Sequence, residues 1–296
     1  MKIDVILLIC AALLPAIVLC IYVFKKDRVE KEPIGLLLGL LALGCVICWP
    51  AAEIESMLSV IIDKAFSPFT FEEEGAVYLS ETAFKVYNAV DNFIGVALVE
   101  EGLKFIVLFF VTRKNKNFNS LFDGLIYAVF VSLGFAAFEN VLYVVNYGWT
   151  NALVRALTAV PGHMFFAVLM GYYYSMWHIC EQANALEQGL KKAGFIDKNA
   201  KEISAKKYLI CSLLVPILAH GLYDYCCTAE TVLADIVFYV FLIFLYIYCF
   251  KRIKEMSKGD MEDGKLAMAL VFKKYPHLIE AVLLEAEQRK SANINS

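Results

Sequence analysis

Long apolar runs separated by short polar segments form the main pattern along this chain. A transmembrane helix needs about 20 predominantly apolar residues to cross a hydrocarbon layer of about 30 Å. Runs of this kind are found at residues 3–24, 34–58, 89–112, 121–147, 153–178, 207–225 and 232–250. The pattern predicts an all-α fold, a polytopic membrane helical bundle of about seven transmembrane helices. The second run is the weakest of them, since Pro50, Glu53 and Glu55 interrupt it.

Lysine and arginine are concentrated in every second segment between these runs, at residues 25–32, 113–120, 181–207 and 251–258. The alternate segments, at residues 59–88, 148–152 and 226–231, are poor in basic residues. Because cytoplasmic loops carry the excess of basic residues, we predict that the N-terminus is outside and the C-terminus is cytoplasmic. The basic cluster follows the first run rather than preceding it, so we interpret that run as a retained span and not as a cleaved signal peptide.

The composition excludes several classes of protein. Of the 296 residues, 60% are hydrophobic and 19% are charged, which is too apolar for a soluble domain of this size. A net charge of -3 without a basic stripe indicates that nucleic acid is not a partner. The nine cysteines follow no disulfide or metal-binding spacing. We expect a transmembrane domain over residues 1–255, in the cell membrane as a multi-pass protein, and a cytoplasmic amphipathic tail over residues 256–296, helical between about 260 and 290.

Ionisable residues inside four of the predicted spans are the candidates for chemistry, because such residues are costly in lipid and mark functional cavities. In the third span Lys104 follows Glu100 by four residues and Glu101 by three, so it can pair with both carboxylates on one side of a helix. An ionised carboxylate in a sheltered cavity can act as a general base toward water. A buried ion pair that only supports helix packing is the competing interpretation.

The fourth and fifth spans contribute further polar groups. Glu139 and Asn140 are adjacent in the fourth span, where an asparagine alone would be an ordinary interhelical hydrogen bond. In the fifth span, Pro161 is expected to kink the helix and to leave His163 at a local break, facing a wet cavity. Arg155 is nearer the outer interface, where a snorkelling side chain is the simpler interpretation.

His220 and Asp224 are four residues apart in the sixth span, so Asp224 can accept a hydrogen bond from one imidazole nitrogen and direct the second nitrogen toward a cavity. Counted from the outer ends of their predicted spans, Glu100 lies about 11 residues deep, Glu139 about 8, His163 about 10 and His220 about 5, at 1.5 Å per residue. Helices of opposite direction would thus bring these groups into one layer in the outer half of the membrane. The sequence therefore predicts a single hydrated site there.

At these positions the chain resembles the PrsW family of intramembrane proteases, which is distantly similar to the membrane proteases that trim prenylated proteins. The motifs are EEGLK at Glu100, Glu101 and Lys104, FAAFEN from Phe135 to Asn140, PGH ending at His163, and HGLYD from His220 to Asp224. The resemblance covers residues from about 20 to 250. It implies a first, extracytoplasmic cut in a membrane-anchored anti-sigma factor, after which a second protease would release a sigma factor for a stress response.

These observations lead to a hypothesis of glutamate-type peptide hydrolysis without a cofactor. We expect Glu100, Glu101, His163 and His220 to be catalytic, supported by Lys104, Phe135, Glu139, Asn140 and Asp224. The partners would be a single-span membrane substrate and the lipid bilayer. A second hypothesis keeps the protease but places zinc among Glu139, His163, His220 and Asp224. An ion-coupled transporter could use the buried carboxylates as relays, but it would predict paired broken helices and internal symmetry, which the sequence does not show. A membrane receptor without catalytic activity would leave the layer of polar groups unexplained.

Overall fold

The chain folds into a helical bundle with one small β-hairpin. A computed structural model describes residues 2–280 except Val29 and Glu74. In chain order the elements are α1 Lys2–Lys26, α2 Ile34–Phe66, a 3-10 turn Ser67–Phe69, β1 Thr70–Glu73, β2 Ala76–Leu79, α3 Glu81–Val90, a π-helical segment Asp91–Ala97, α4 Leu98–Thr112, α5 Asp123–Leu157, α6 Ala159–Lys192, α7 Ala205–Thr228, α8 Val232–Lys258 and α9 Asp263–Lys274. The all-α membrane fold is confirmed.

Five helical stretches in the described part of the chain are long and apolar enough to cross a membrane: Val5–Lys26, Ile34–Phe69, Asp123–Lys192, Ala205–Thr228 and Val232–Lys258. The third of these contains two helices, α5 and α6, which pack antiparallel, since Gly124 lies beside Ser175 and Ser132 bonds to the backbone of His163. The continuous helix formed by α3, the π-helical segment and α4 is not among the five. The number of seven crossings and the orientation of the termini stay predictions.

The predicted turn between the fourth and fifth spans is formed, and it is shorter than predicted. Only Gly148, with a φ of 79°, leaves the helical conformation there. Arg155 contacts Glu139 and Asn140, so the residues after Gly148 run back along those before it.

Thr158 is a local break within the returning helical stretch and not the point of reversal, so residues 153–157 belong to the start of the fifth span, as predicted. The predicted local break before His163 is formed, since Thr158 has a φ of -120° and a ψ of -70°. The Leu157 carbonyl, which the missing N–H of Pro161 leaves free, accepts from the Tyr246 hydroxyl at 2.7 Å.

The centre of the bundle is α5, whose residues 123–137 are all buried. Its neighbours approach closely because glycines line the crossings. A Cβ atom on Gly44 of α2 would lie 2.0 Å from the Val131 carbonyl oxygen of α5, and one on Gly134 would lie 2.0 Å from the Leu41 carbonyl oxygen. Small residues that let helix backbones touch are typical of membrane bundles. Large apolar side chains such as Val46, Trp49 and Phe244 are more than half exposed on the outside, where lipid would cover them.

The two ends of the bundle differ in charge. We call one the basic end, since the predicted basic segments 25–32 and 113–120 connect helices there. The predicted basic segments 181–207 and 251–258 include the last turns of α6 and α8 and the start of α7 at the same end. The tail helix α9 packs against α6 at this end, where Lys274 pairs with Glu187 at 2.8 Å and His178 lies 3.1 Å from Asp263. The part of the predicted tail helix beyond residue 280 lies outside the described residues. The β-hairpin and the turn at Gly148 lie at the opposite end, which we call the site end.

Candidate functional site

The two adjacent glutamates of α4, Glu100 and Glu101, are buried and follow the π-helical segment Asp91–Ala97 closely in the chain. Lys104 Nζ donates to Glu100 Oε2 and to Glu101 Oε1, each at 2.8 Å, so both predicted pairings are confirmed. Glu100 lines the main cavity of the site end, whereas Glu101 is 0% exposed and does not reach it. The two adjacent glutamates, which the sequence could not rank, are therefore in different environments. π-Helical segments are frequent at functional sites.

His163 lies in the second turn of α6 and bridges two sides of the site. Its Nε2 atom is 2.9 Å from Glu139 Oε2 of α5, and its Nδ1 atom is 3.2 Å from Lys104 Nζ. An ammonium has no acceptor, so Lys104 donates to Nδ1, and the proton of a neutral imidazole is then on Nε2, donated to Glu139. Lys104 thus donates its three ammonium protons to Glu100, Glu101 and His163. The ring of Phe135, 4.2 Å from the same ammonium, closes the site on the side that is predicted to face the cytoplasm.

His220 of α7 is held between two carboxylates. Asp224 Oδ2 lies 3.1 Å from its Nε2 atom, which confirms the predicted pair, and Glu101 Oε1 lies 3.0 Å from its Nδ1 atom. A doubly protonated imidazolium satisfies this arrangement with both of its donors. Phe166 stacks on the ring, with the ring centres 4.7 Å apart. The two histidine rings are edge to face at 5.4 Å, so they lie on one wall of a common site.

A cavity of about 600 Å³ connects these groups. Its polar wall contains five carboxyl groups and one cation besides the two histidines, namely Glu55, Asp91, Glu100, Glu139, Asp224 and Arg155. Cys48, Phe135, Leu142 and Tyr223 form part of its apolar wall. The excess of carboxylates gives the cavity a negative potential, which favours cations and protonated imidazole.

Arg155 and Asn140 have contacts that the sequence did not predict. Arg155 does not snorkel: its guanidinium lies 2.8 Å from Glu139 Oε2 and donates from Nε to Asn140 Oδ1 at 2.9 Å. Asn140 is 0% exposed and donates to the Ala12 carbonyl of α1 at 2.8 Å, so it holds Arg155 and does not face the cavity. Glu139, by contrast, does line the cavity.

Glu55 is a second lining residue that sequence reasoning did not assign to the site. In the sequence Glu55 interrupts the second apolar run, and an acidic residue among apolar ones could have indicated that it belongs to the site. Its side chain lies in the cavity wall contributed by α2, and its Oε1 atom is buried without a hydrogen-bond partner among the described residues.

The residues whose potential metal-ligand atoms converge are Glu100, His163 and His220, within 4.8 Å of one another. The zinc set predicted from the sequence is different, since Glu139 and Asp224 bind the opposite imidazole nitrogens and would act only as orienting partners. Two imidazoles and one carboxylate suit zinc by type and spacing. Two contacts would compete with a metal ion for the imidazole nitrogens. The Lys104 ammonium contacts His163 Nδ1, and the Glu101 carboxylate contacts His220 Nδ1.

Comparison with known proteins is consistent with this geometry. A family model described as PrsW family intramembrane metalloprotease matches residues 32–249. A protein named Protease PrsW from Bacillus subtilis (strain 168) is 30% identical over 256 residues, which are 86% of this chain and 97% of that protein. Its namesake from Clostridioides difficile (strain 630) is 30% identical over 252 residues, which are 83% of this chain and 88% of that relative. No solved structure matches the chain.

Proposed function

The chain belongs to the PrsW family of intramembrane proteases, and we propose that it hydrolyses a peptide bond of a single-span membrane protein with a water molecule activated by Glu100. The observation that carries this proposal is the convergence of Glu100, His163 and His220 from three different helices on one cavity. Helix-packing polar groups would have no reason to share a cavity that water can enter.

Glu100 is the proposed general base, because its carboxylate borders the cavity and lies close to both histidines. Its Oε2 atom is 3.9 Å from His163 Nδ1 and 4.0 Å from His220 Nδ1, so a water molecule on the cavity side of Glu100 would lie next to both histidines. The base takes a proton from this water as its oxygen attacks the peptide carbonyl, and it returns the proton to the leaving amine. Glu101 is assigned a positioning role, since it binds Lys104 and His220 without reaching the cavity.

His220 is the proposed stabiliser of the negative charge that develops on the carbonyl oxygen. Held between Asp224 and Glu101 as an imidazolium, it presents a fixed positive charge in a sheltered cavity, where such charges act more strongly than in water. His163, oriented by Glu139, accepts a hydrogen bond from Lys104 and so keeps the ammonium beside Glu100. The histidines and the base are thus positioned before substrate arrives.

A pair of isosteric substitutions tests these roles. Glu100→Gln should lower the rate of cleavage of a co-expressed single-span substrate by about 100-fold or more, since the base is lost. Glu101→Gln should retain measurable cleavage but lower the melting temperature of the purified protein, since the buried lysine loses a full ionic partner. Undiminished cleavage by Glu100→Gln would refute the assignment.

A metal-dependent form of the same hydrolysis is the second candidate, favoured by the spacing of Glu100, His163 and His220. If bound there, a divalent ion would be held by these three residues and would supply Lewis-acid activation of water. Metal analysis of the purified protein, with chelator inhibition and rescue by zinc, separates the two forms. Full activity of metal-free protein in chelator would support the glutamate form.

The proposed substrate is a membrane-anchored anti-sigma factor, cut first on its extracytoplasmic side so that a sigma factor is later released. The resemblance of the motifs supports this substrate class, and the position of the site at the end opposite the basic segments supports the side of cleavage. A strain that lacks this protein should accumulate full-length anti-sigma factor under inducing stress. Cleavage at the normal rate in that strain would exclude this substrate.

A further inference from the structure

We infer that a groove beside the β-hairpin binds a basic, extended segment of the substrate just outside its membrane span; this inference rests on the proposed function. The hairpin groove is formed by Phe71, Glu73, Tyr78, Glu81, Phe84 and Glu230 and encloses about 610 Å³. It lies at the site end, and none of its residues belongs to the motifs that predicted the site.

The register of the hairpin determines which side chains face the groove. Phe71 pairs with Tyr78 across the two strands, with ring centres 6.0 Å apart. Glu73 follows Phe71 by two residues, so it points to the same side, whereas Glu72 points to the opposite side. Phe71 is 46% exposed and Tyr78 is 50% exposed. Two large aromatic rings and a carboxylate thus share one open face.

The charge of the groove indicates the chemistry of its occupant. Glu81 is paired with Lys85 at 2.6 Å, but Glu73 and Glu230 have no ion-pair partner among the described residues. Aromatic faces and carboxylates together attract lysine and arginine side chains, through cation–π contacts and ion pairs. Anionic lipid head groups would be repelled. A peptide segment with basic side chains fits this surface best.

The hairpin groove lies near the catalytic cavity, because two stretches of the chain contribute residues to both. Along the α3 helix, Phe84 borders the groove, and the continuing π-helical segment brings Asp91 into the cavity. At the end of α7, Thr228 lines the cavity, and Glu230 in the next turn lines the groove. From Phe84 to Glu100 the helix advances by about 24 Å, which an extended peptide covers in about seven residues. Basic residues about seven positions from the scissile bond would therefore reach the groove.

The test uses the full-length protein in phosphatidylcholine vesicles and synthetic peptides with one leucine–alanine span. One peptide carries two lysines in the extension predicted to be outside, and its matched control carries two glutamines. The protein variant is Glu73→Gln with Glu230→Asn; asparagine is chosen because Glu230 has a φ of 50°, which asparagine tolerates. Glu72→Gln is the control variant for the Glu73 substitution, since it removes one negative charge from the opposite face of β1.

Binding is measured by peptide fluorescence in the Glu100→Gln background, so the result does not depend on cleavage. We expect the double variant to weaken binding of the lysine peptide by about three- to tenfold and to leave the glutamine peptide unchanged. Glu72→Gln should change neither by more than about twofold. In the active protein the same loss should be found in KM and not in kcat.

Equal binding of the two peptides to the unaltered groove, or an equal loss in the Glu72→Gln control, would overturn the inference. Dimerisation that Glu73→Gln with Glu230→Asn abolishes would assign the groove to a second copy of the chain instead. If the lysine peptide binds selectively but the active protein cleaves no peptide, the inference about the groove is supported and the proposed protease mechanism is rejected.

Discussion

The role proposed for each polar residue in the site depends on whether its side chain reaches the cavity. Glu100 and Glu101 are neighbours in the chain, yet only Glu100 borders the cavity, because successive residues on a helix point about 100° apart. Arg155 is a similar case, since it contacts Glu139 on the carboxylate oxygen that also binds His163. Arg155 therefore positions a residue that orients His163, which is proposed to be catalytic.

Replacement of Arg155 by glutamine should reduce cleavage by about tenfold and change its pH profile. The carboxylate of Glu139 would lose its fixed cation and would hold His163 less firmly, and outer partners of this kind typically matter by 10- to 100-fold. Arg155→Lys should restore part of the activity, because it keeps the charge but not the Nε bond to Asn140. The measurement is kcat as a function of pH. An unchanged profile in Arg155→Gln with reduced melting temperature would indicate a purely structural residue.

The helices are positioned by close backbone contacts, which also set the rotation of each helix about its axis. The α2–α5 crossing has Gly44 against the Val131 carbonyl, and it lies close in sequence to Cys48, which lines the cavity. At the α7 crossing, a Cβ on Gly221 would lie 2.4 Å from the ring of Phe93 in the π-helical segment. This contact lies next to His220, so packing and site geometry are coupled there.

Gly44→Ala should destabilise the bundle, whereas Gly39→Ala on the same helix should not. A methyl group at Gly44 would meet backbone at 2.0 Å and force the helices apart, at a cost of about 2–3 kcal/mol or more. Nothing lies within 4 Å of a Cβ at Gly39, so alanine there should be neutral or stabilising by about 0.5–1 kcal/mol. Thermal unfolding in detergent measures both. Equal melting temperatures for the two variants would contradict the close α2–α5 contact.

The sequence predicted what depends on local helix geometry and missed what depends on helix rotation. The pairs Lys104–Glu100 and His220–Asp224 follow from four-residue spacing, and both are formed. Contacts between helices, such as Glu101 with His220, require knowing how each helix is turned, which the glycine contacts decide. The hairpin between β1 and β2 was hidden because its short strands are exposed and have no buried face to give an alternating pattern.

At the scale of the whole molecule, the basic end contains buried carboxyl groups of its own. Glu32, in the link between α1 and α2, is 3% exposed and accepts a 2.6 Å hydrogen bond from the Tyr127 hydroxyl. Burial, together with the neighbouring carboxylates of Asp123 and Asp27, raises the pKa of Glu32 to about 8. The folded protein therefore holds this proton more tightly than the unfolded chain does.

This raised pKa predicts that stability falls as pH rises. The unfolded chain releases the Glu32 proton near its ordinary pKa of 4.5, while the folded protein keeps it until about 8, so the contribution is complete below 4.5 and lost above 8. The melting temperature should drop by roughly 5 °C between pH 5 and pH 9. Glu32→Gln keeps an acceptor for Tyr127 but cannot titrate, so its pH dependence should be clearly smaller. An equal drop in both proteins would assign the effect to different groups.

The orientation of the whole bundle decides on which side of the membrane the substrate is cut, and the charge difference between its ends predicts that orientation. Basic residues hold their loops in the cytoplasm, so the hairpin and the cavity should face outward. A cysteine placed at Val77, which is 69% exposed in β2, should react with a membrane-impermeant maleimide on intact cells, above the background of the parent protein. A cysteine at Lys198, in the loop between α6 and α7, should react only after permeabilisation. The reverse pattern would place the cavity on the cytoplasmic side, and extracytoplasmic cleavage would then be impossible for this site.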